Sequence, residues 1–273
     1  MQREKIFNVP GVVLAIIATL ALTHGAREYV LNDAQDAWLL QHFAFVPGRL
    51  TYLIDPAGVA DVFAGFSGAR GRVLEESGRF FLGDGSLQWW TFLTYSALHA
   101  DWVHFGVNSV WLAAFGTPVA RRFGAARFVA LFAVTAIAGA AVHYGLHRFD
   151  LNPVVGASAA VSGAMAAACR FVFQPNGPLG EGFNFGSGED AAYRQPAAPI
   201  LHIFTNSRTM PFILLWFGVN FLFGISAGSL GISDNPIAWE AHVGGFLAGL
   251  FLFDLFDPLA PGKQSIGLRD GSN

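Results

Sequence analysis

The chain has 273 residues, of which 53% are hydrophobic and only 13% charged, with a net charge of −3 and a mean hydropathy of +0.45. Soluble domains average about a quarter charged residues, so an ordinary globular domain is excluded, and so weak a net charge leaves no footprint for nucleic acid. The single cysteine, Cys169, excludes an intramolecular disulfide framework and a multi-cysteine metal site, and its apolar surroundings read as packing.

A bilayer core about 30 Å thick is crossed by about 20 apolar residues in a helix. Six segments meet or approach that length, at about 9–27, 102–120, 126–147, 154–173, 209–227 and 236–256. Arg3 and Lys5 ahead of the first run have the order of a secretory signal. No small-residue cleavage site follows, so an uncleaved membrane helix is expected there. Residues 28–90 are too long for a turn and carry Trp38, Phe43, Phe45, Phe63, Phe66, Phe80 and Phe81. Such a stretch is expected in the membrane interface or against the bundle. Residues 174–199 are rich in Gly and Pro and predict a flexible cytoplasmic loop. Strand alternation of the outer-membrane kind is missing from the sequence, so the expected class is all-α, a polytopic bundle of six transmembrane helices with a long first loop.

Lys and Arg in short loops set the orientation. Arg3, Lys5, Arg121, Arg122, Arg127, Arg194, Arg208, Lys263 and Arg269 fall on one side, whereas the other has Arg148 in one short loop and no base in 228–235. A cytoplasmic N-terminus (1–8), a membrane domain (9–256) and a cytoplasmic tail (257–273) are therefore expected, in a bacterial inner membrane. On that reading the fourth and sixth segments both begin at the outer side, and their polar residues share a depth.

Those residues are Ser158, in Gly156-Ala157-Ser158, and His242, in Ala241-His242-Val243-Gly244-Gly245. Polar, chemically competent side chains in membrane helices point to function, and a hydroxyl meeting an imidazole makes a nucleophile and its base. Asn152-Pro153 favours a turn and Gly156 permits close backbone approach, so Ser158 is expected near a helix start, where unsatisfied N–H groups can stabilise an oxyanion. Ala159, Ser162, Gly163 and Ala166 form a small-residue stripe, and Gly245 and Gly249 share a face with His242. Two such faces pack near backbone contact. On the second segment His104 and Asn108 are four apart, share a face, and can both donate to an oxyanion. His99 is expected to brace the loop beside them.

Taken together, His99, His104 and Asn108 (HxxxxHxxxN), Gly156 and Ser158 (GxS), and Ala241 to Gly249 (AHxxGxxxG) resemble, in that order, the rhomboid family of intramembrane serine proteases. The likeness spans about residues 88–256. It implies a Ser158–His242 dyad with no third acidic member, an oxyanion hole from the Ser158 N–H with His104 and Asn108, and a structural role for His99. It also implies membrane-protein substrates, single-pass or polytopic, met within the lipid bilayer. The pattern departs at four positions. Ala159 replaces the glycine after the serine, Ser162 stands where many members have an aromatic residue packed on the catalytic histidine, Trp90-Thr91 replaces a Trp-Arg pair, and Ala120 replaces an acidic residue. An inactive relative that binds transmembrane clients is the alternative reading.

His143 and His147, also four apart, could hold a metal. No HExxH pattern accompanies them and no carboxylate lies among the histidines within the helices, so the pair is read as marking the outer interface beside Arg148. No metal and no cofactor are expected. The inverted repeats of a transporter are not visible either.

Overall fold

The computed structural model describes residues 9–180, 189–226 and 238–259. The expected cytoplasmic N-terminus (1–8), the outer turn at 228–235 and most of the tail, 260–273, lie outside the described residues. Among those described, regular structure is helical apart from one isolated antiparallel bridge between Phe45 and Val154.

In chain order the helices are α1 (Gly11–Tyr29), α2 (Asp33–Phe43), α3 (Pro47–Ile54), α4 (Pro56–Gly65), α5 (Gly68–Leu82), α6 (Thr91–Thr94), α7 (Trp102–Trp111), α8 (Thr117–Phe123), α9 (Ala125–Leu146), α10 (Ser158–Cys169), α11 (Glu189–Ala192), α12 (Ile200–Ile203), α13 (Thr209–Ser226), α14 (Trp239–Phe251) and α15 (Phe253–Phe256). A π-helical segment, Leu112–Gly116, joins α7 to α8 into one continuous rod.

Each of the six apolar segments contains a helix, but their lengths differ from the expectation. Two, α1 and α9, are long and apolar enough to cross a membrane; the α10 helix and the Thr209–Leu222 part of α13 are shorter apolar helices. The twelve residues of α10 span only about 18 Å at 1.5 Å per residue. Residues 152–156, expected to lead into this helix, are instead drawn out. Phe45 and Val154 exchange N–H···O bonds of 3.1 and 2.7 Å, and the Gly156 N–H donates to the Tyr95 carbonyl at 3.0 Å. Backbone held by neighbouring chain in this way cannot also close helical turns.

The long first loop folds into α2–α5. Asn32 and Gln35 cap α2 reciprocally, Pro47 and Pro56 open α3 and α4 where a missing N–H costs nothing, and the Asp55 side chain caps α4. Buried Arg49 braces this unit, donating to Gln88 Oε1 and to the carbonyls of Gln41 and Phe81. Thr91, where the family has arginine, bonds only locally to Gln88; the bracing guanidinium comes from α3.

At the centre α10 is walled in by α9, α14 and the α7–α8 rod. Every residue from Ala159 to Cys169 is buried, and Cys169 is fully enclosed as a small apolar side chain. Close approach rests on glycines. A Cβ on Gly245 would overlap the Ala159 backbone, and one on Gly249 the Gly163 backbone, the packing that small residues allow between membrane helices.

The end of the bundle holding the C-termini of α8, α10 and α14 is closed by two arginines. Arg122 makes a paired contact with Asp257 at 3.0 and 2.9 Å and donates to the Tyr193 and Gln195 carbonyls. Arg170 pairs with Asp254 and exchanges bonds with Ala198. The described second half of the 174–199 segment is therefore tied to the bundle, because otherwise unpaired guanidinium donors fasten its carbonyls.

Candidate active site

The glycine contacts fix how Ser158 and His242 stand. Gly245 meets Ala159 and Gly249 meets Gly163; both pairs step by four, so α10 and α14 run parallel in constant register. His242 lies three residues before Gly245 on the same face, about 4.5 Å higher, and Ser158 is one residue above Ala159. The two residues thus stand at the same end of the helix pair, about 3 Å apart in height. A third helix ties them together: a Cβ on Gly139 of α9 would meet the Ala159 methyl at 2.5 Å and the Ala241 carbonyl at 2.7 Å. The neighbours of both residues thus converge on one glycine. Ser158 and His242 are each half-buried.

Ser158 is the first residue of α10, and Ala157 before it provides no side-chain cap. The N–H groups of Ser158, Ala159 and Ala160 therefore have no intrahelical acceptor. The Ser162 hydroxyl donates back to the Ser158 carbonyl at 2.7 Å, which ties down the first turn without engaging those donors. Gly156, at φ +127°, holds a conformation that side chains rarely adopt. Its α-carbon also lies against the His104 ring, since a Cβ there would stand 2.7 Å from Nε2 and 3.6 Å from the Ser158 Oγ. Glycine is required twice over.

His104 and Ser158 therefore border the same point. The Ala100 N–H donates to His104 Nδ1 at 3.4 Å, so Nδ1 is the acceptor and Nε2 carries the proton. That donor is the atom facing Gly156. Asp101 sets the ring's height by capping α7 through the His104 N–H at 2.7 Å. Asn108, a turn below, is buried, and its Nδ2 spends one hydrogen on the His104 carbonyl at 3.0 Å; the second has no acceptor among the described residues. His99 packs edge-on behind His104 at 5.1 Å, and its carbonyl accepts from Arg27, which pairs with Asp36. The His99 backbone is thus linked to α1 and α2 through residues that carried no motif.

Sequence reasoning missed Asn220 of α13. Its Oδ1 lies in hydrogen-bond contact with His242 Nδ1, and its Nδ2 donates to the Trp216 carbonyl at 2.8 Å. A carbonyl only accepts, so this second bond fixes which way the amide points. His242 must carry its proton on Nδ1, leaving the Nε2 lone pair free. The one signal available was an amide within an otherwise apolar run, where polar groups are costly. Trp216 also stacks on Phe246 of α14 with centroids 4.8 Å apart, so α13 supports the histidine's helix as well as its ring. Ser162 provides no ring there; the amide approaches His242 from a different helix.

A second omission is Glu240, in the first turn of α14. The expectation that no carboxylate lies among the helical histidines is corrected: Glu240 Oε1 is 2.9 Å from His147 Nε2, and Oε2 is 3.6 Å from His143 Nδ1. A separation of 93 positions along the chain hid the contact with His147.

The arrangement offers a hydroxyl at an uncapped helix start beside the His104 ring and, on the adjoining helix, an imidazole held by an amide at Nδ1. These are the parts that nucleophilic acyl transfer needs. Residues 86–256, more than half of the chain, match the Rhomboid domain family. A stretch of 80 residues, 29% of the chain, is 32% identical to the Rhomboid protease GluP of Bacillus subtilis (strain 168). That stretch covers 15% of the relative's length.

Proposed function

The chain belongs to the rhomboid family, and on that footing we propose that it is an intramembrane serine endopeptidase working through Ser158 and His242. The observation that supports the reading is the shared register of α10 and α14 around Gly245 and Gly249, with the residues next to Ser158 and His242, Ala159 and Ala241, both against Gly139 of α9. In this reading His242 Nε2 takes the proton of Ser158 Oγ as the oxygen attacks the scissile carbonyl. The Ser158 N–H, His104 Nε2–H and the spare hydrogen of Asn108 hold the oxyanion. The imidazolium then returns its proton to the leaving amine, and water, deprotonated by His242, releases the acyl group. Asn220 keeps the proton on Nδ1 throughout the cycle.

Six membrane-crossing units complete the proposal: α1, the α7–α8 rod, α9, α10 with its flanking turns, α13, and α14 with α15. Both termini lie on the arginine-rich cytoplasmic side of a bacterial inner membrane, and α2–α5 rest in the outer interface with Leu53, Ile54, Val73 and Phe80 exposed. Substrates are membrane-protein segments. Helical hydrogen bonds shield a scissile carbonyl, so helix-breaking residues are favoured near the cut.

The test is cleavage of a transmembrane substrate by purified protein, beside Ser158→Ala and His242→Ala. Loss of cleavage in both supports the dyad, and unchanged cleavage in either refutes it. Fluorophosphonate labelling of wild type but not of Ser158→Ala reports an activated hydroxyl independently of substrate choice. Wild type that binds transmembrane segments yet neither cleaves nor labels would identify a client-binding relative instead.

A further inference from the structure

Three metal-binding side chains meet where the last turn of α9 faces the first turn of α14. His143 and His147 stack with centroids 4.8 Å apart, and Glu240 presents one oxygen to each, at 3.6 and 2.9 Å. One ligand atom from each residue lies within 4.8 Å of the other two. His143 is 5% exposed, and beyond the 3.6 Å approach of Glu240 neither of its ring nitrogens has a hydrogen-bond partner among the described residues. A buried imidazole left unbonded calls for an explanation, and nothing in the proposed proteolysis uses it. The His147 side chain is 42% exposed, so the cluster opens to solvent on one side.

We propose that His143, His147 and Glu240 form a binding site for a divalent transition-metal ion of the zinc class. Two imidazoles and a carboxylate suit zinc, whereas calcium and magnesium take oxygen ligands. Bonds of about 2.0–2.1 Å around a tetrahedral ion set neighbouring ligand atoms roughly 3.4 Å apart. Both Glu240 contacts are already near that separation, and all three ligand atoms lie within 4.8 Å of one another, so the ion would draw them together by little more than an ångström. Water through the open side fills the fourth position. The ion would bond α9 to α14 just two residues ahead of His242, clamping the start of the helix that carries it. Glu240 and the two histidines stand apart from the atoms assigned to chemistry, so the site does not depend on Ser158 being reactive.

The experiment uses untagged, metal-stripped full-length protein carrying Ser158→Ala, titrated with Co²⁺. One equivalent is expected to bind with the intense visible absorption of a tetrahedral ion, and Zn²⁺ is expected to displace it. His147→Ala and Glu240→Gln, added singly and checked for monodisperse elution, should each weaken binding more than ~10-fold, since even outer partners of a metal ligand matter that much. Zn²⁺ should raise the Tm of the parent and leave that of both variants unmoved. No one-equivalent binding, or binding that both variants leave unchanged, overturns the site. Binding with no rise in Tm overturns the clamp.

Discussion

The two ends of the bundle treat buried polarity in opposite ways. At one, Arg122 and Asp257, with side chains only 1% and 2% exposed, satisfy each other and two carbonyls, while the Arg122 and Arg170 guanidinium groups lie over the Phe253 ring at 5.5 and 4.7 Å. At the other, the His99 and His143 ring nitrogens make no hydrogen bond among the described residues, Ser158 and His242 stay half-buried, and the first turn of α10 has no side-chain cap. Polar groups that saturate one another can only hold the structure together. Groups with unspent bonding capacity in a partly dry setting can still react or bind, which is why functional sites gather where satisfaction is incomplete.

Substitutions of the reactive side chains at the histidine end should change rate and leave the fold alone. The largest effect expected is a loss of at least ~10⁴-fold in kcat for Ser158→Ala or His242→Ala, because members of a nucleophile–base unit fail together; the double variant should be scarcely worse than either single. With wild type, kcat/KM should fall on acidification, since protonated His242 cannot take the Ser158 proton. A full rate in either single variant breaks the contrast outright.

At the arginine end the order reverses. Asp257→Ala strands the buried Arg122 charge and should cost about 4 kcal/mol of stability, read as a lowered unfolding midpoint in denaturant titration, while kcat of the surviving folded fraction stays near wild type. A smaller effect is expected for Asn220→Leu, which removes the acceptor that fixes His242's tautomer: about a 10²-fold fall in kcat with little change in KM. Asn220→Asp, keeping an acceptor at the same point, should recover most of that loss, and ¹⁵N imidazole shifts should report Nδ1–H in wild type but a mixture in Asn220→Leu. A leucine variant that matched wild type in both readouts would make Asn220 a packing residue. Smallest of all, Ala159→Gly should cost about 1 kcal/mol by opening a methyl-sized void opposite Gly139, with kcat unchanged. Its methyl is 1% exposed and turned into α9, so this departure from the family pattern concerns packing.

The legible parts share a cause. Ser158, His242, His104 and Asn108 stand in short motifs whose spacing follows helical periodicity, and the Gly245–Gly249 face declares a close-packed neighbour; such patterns survive in one dimension. Asn220 and Glu240 act as single side chains contributed by distant segments, and no local periodicity marks them. The same holds for Arg49, two of whose three partners are backbone carbonyl oxygens that every residue possesses, and for Arg27, which joins the His99 carbonyl to Asp36. Helix lengths were also over-read in the fourth segment. Apolar composition continues through 154–157, but the backbone there is already bonded to Phe45 and Tyr95, and hydropathy is blind to that competition.

The brevity of α10 has an electrostatic consequence. Aligned peptide dipoles give a helix roughly half a positive elementary charge at its N-terminus, normally quenched by water or headgroups at the membrane surface. A helix of about 18 Å in a layer of about 30 Å cannot present both ends to those surfaces. On the proposed crossing of the membrane by α10, one of its ends is submerged, and the buried arginines bind the C-terminal end. The positive pole at Ser158 is then shielded by little solvent, where a negative charge gathering on a carbonyl oxygen would feel it most strongly. A short helix in a thick membrane is thus a source of field that needs no charged residue to supply it.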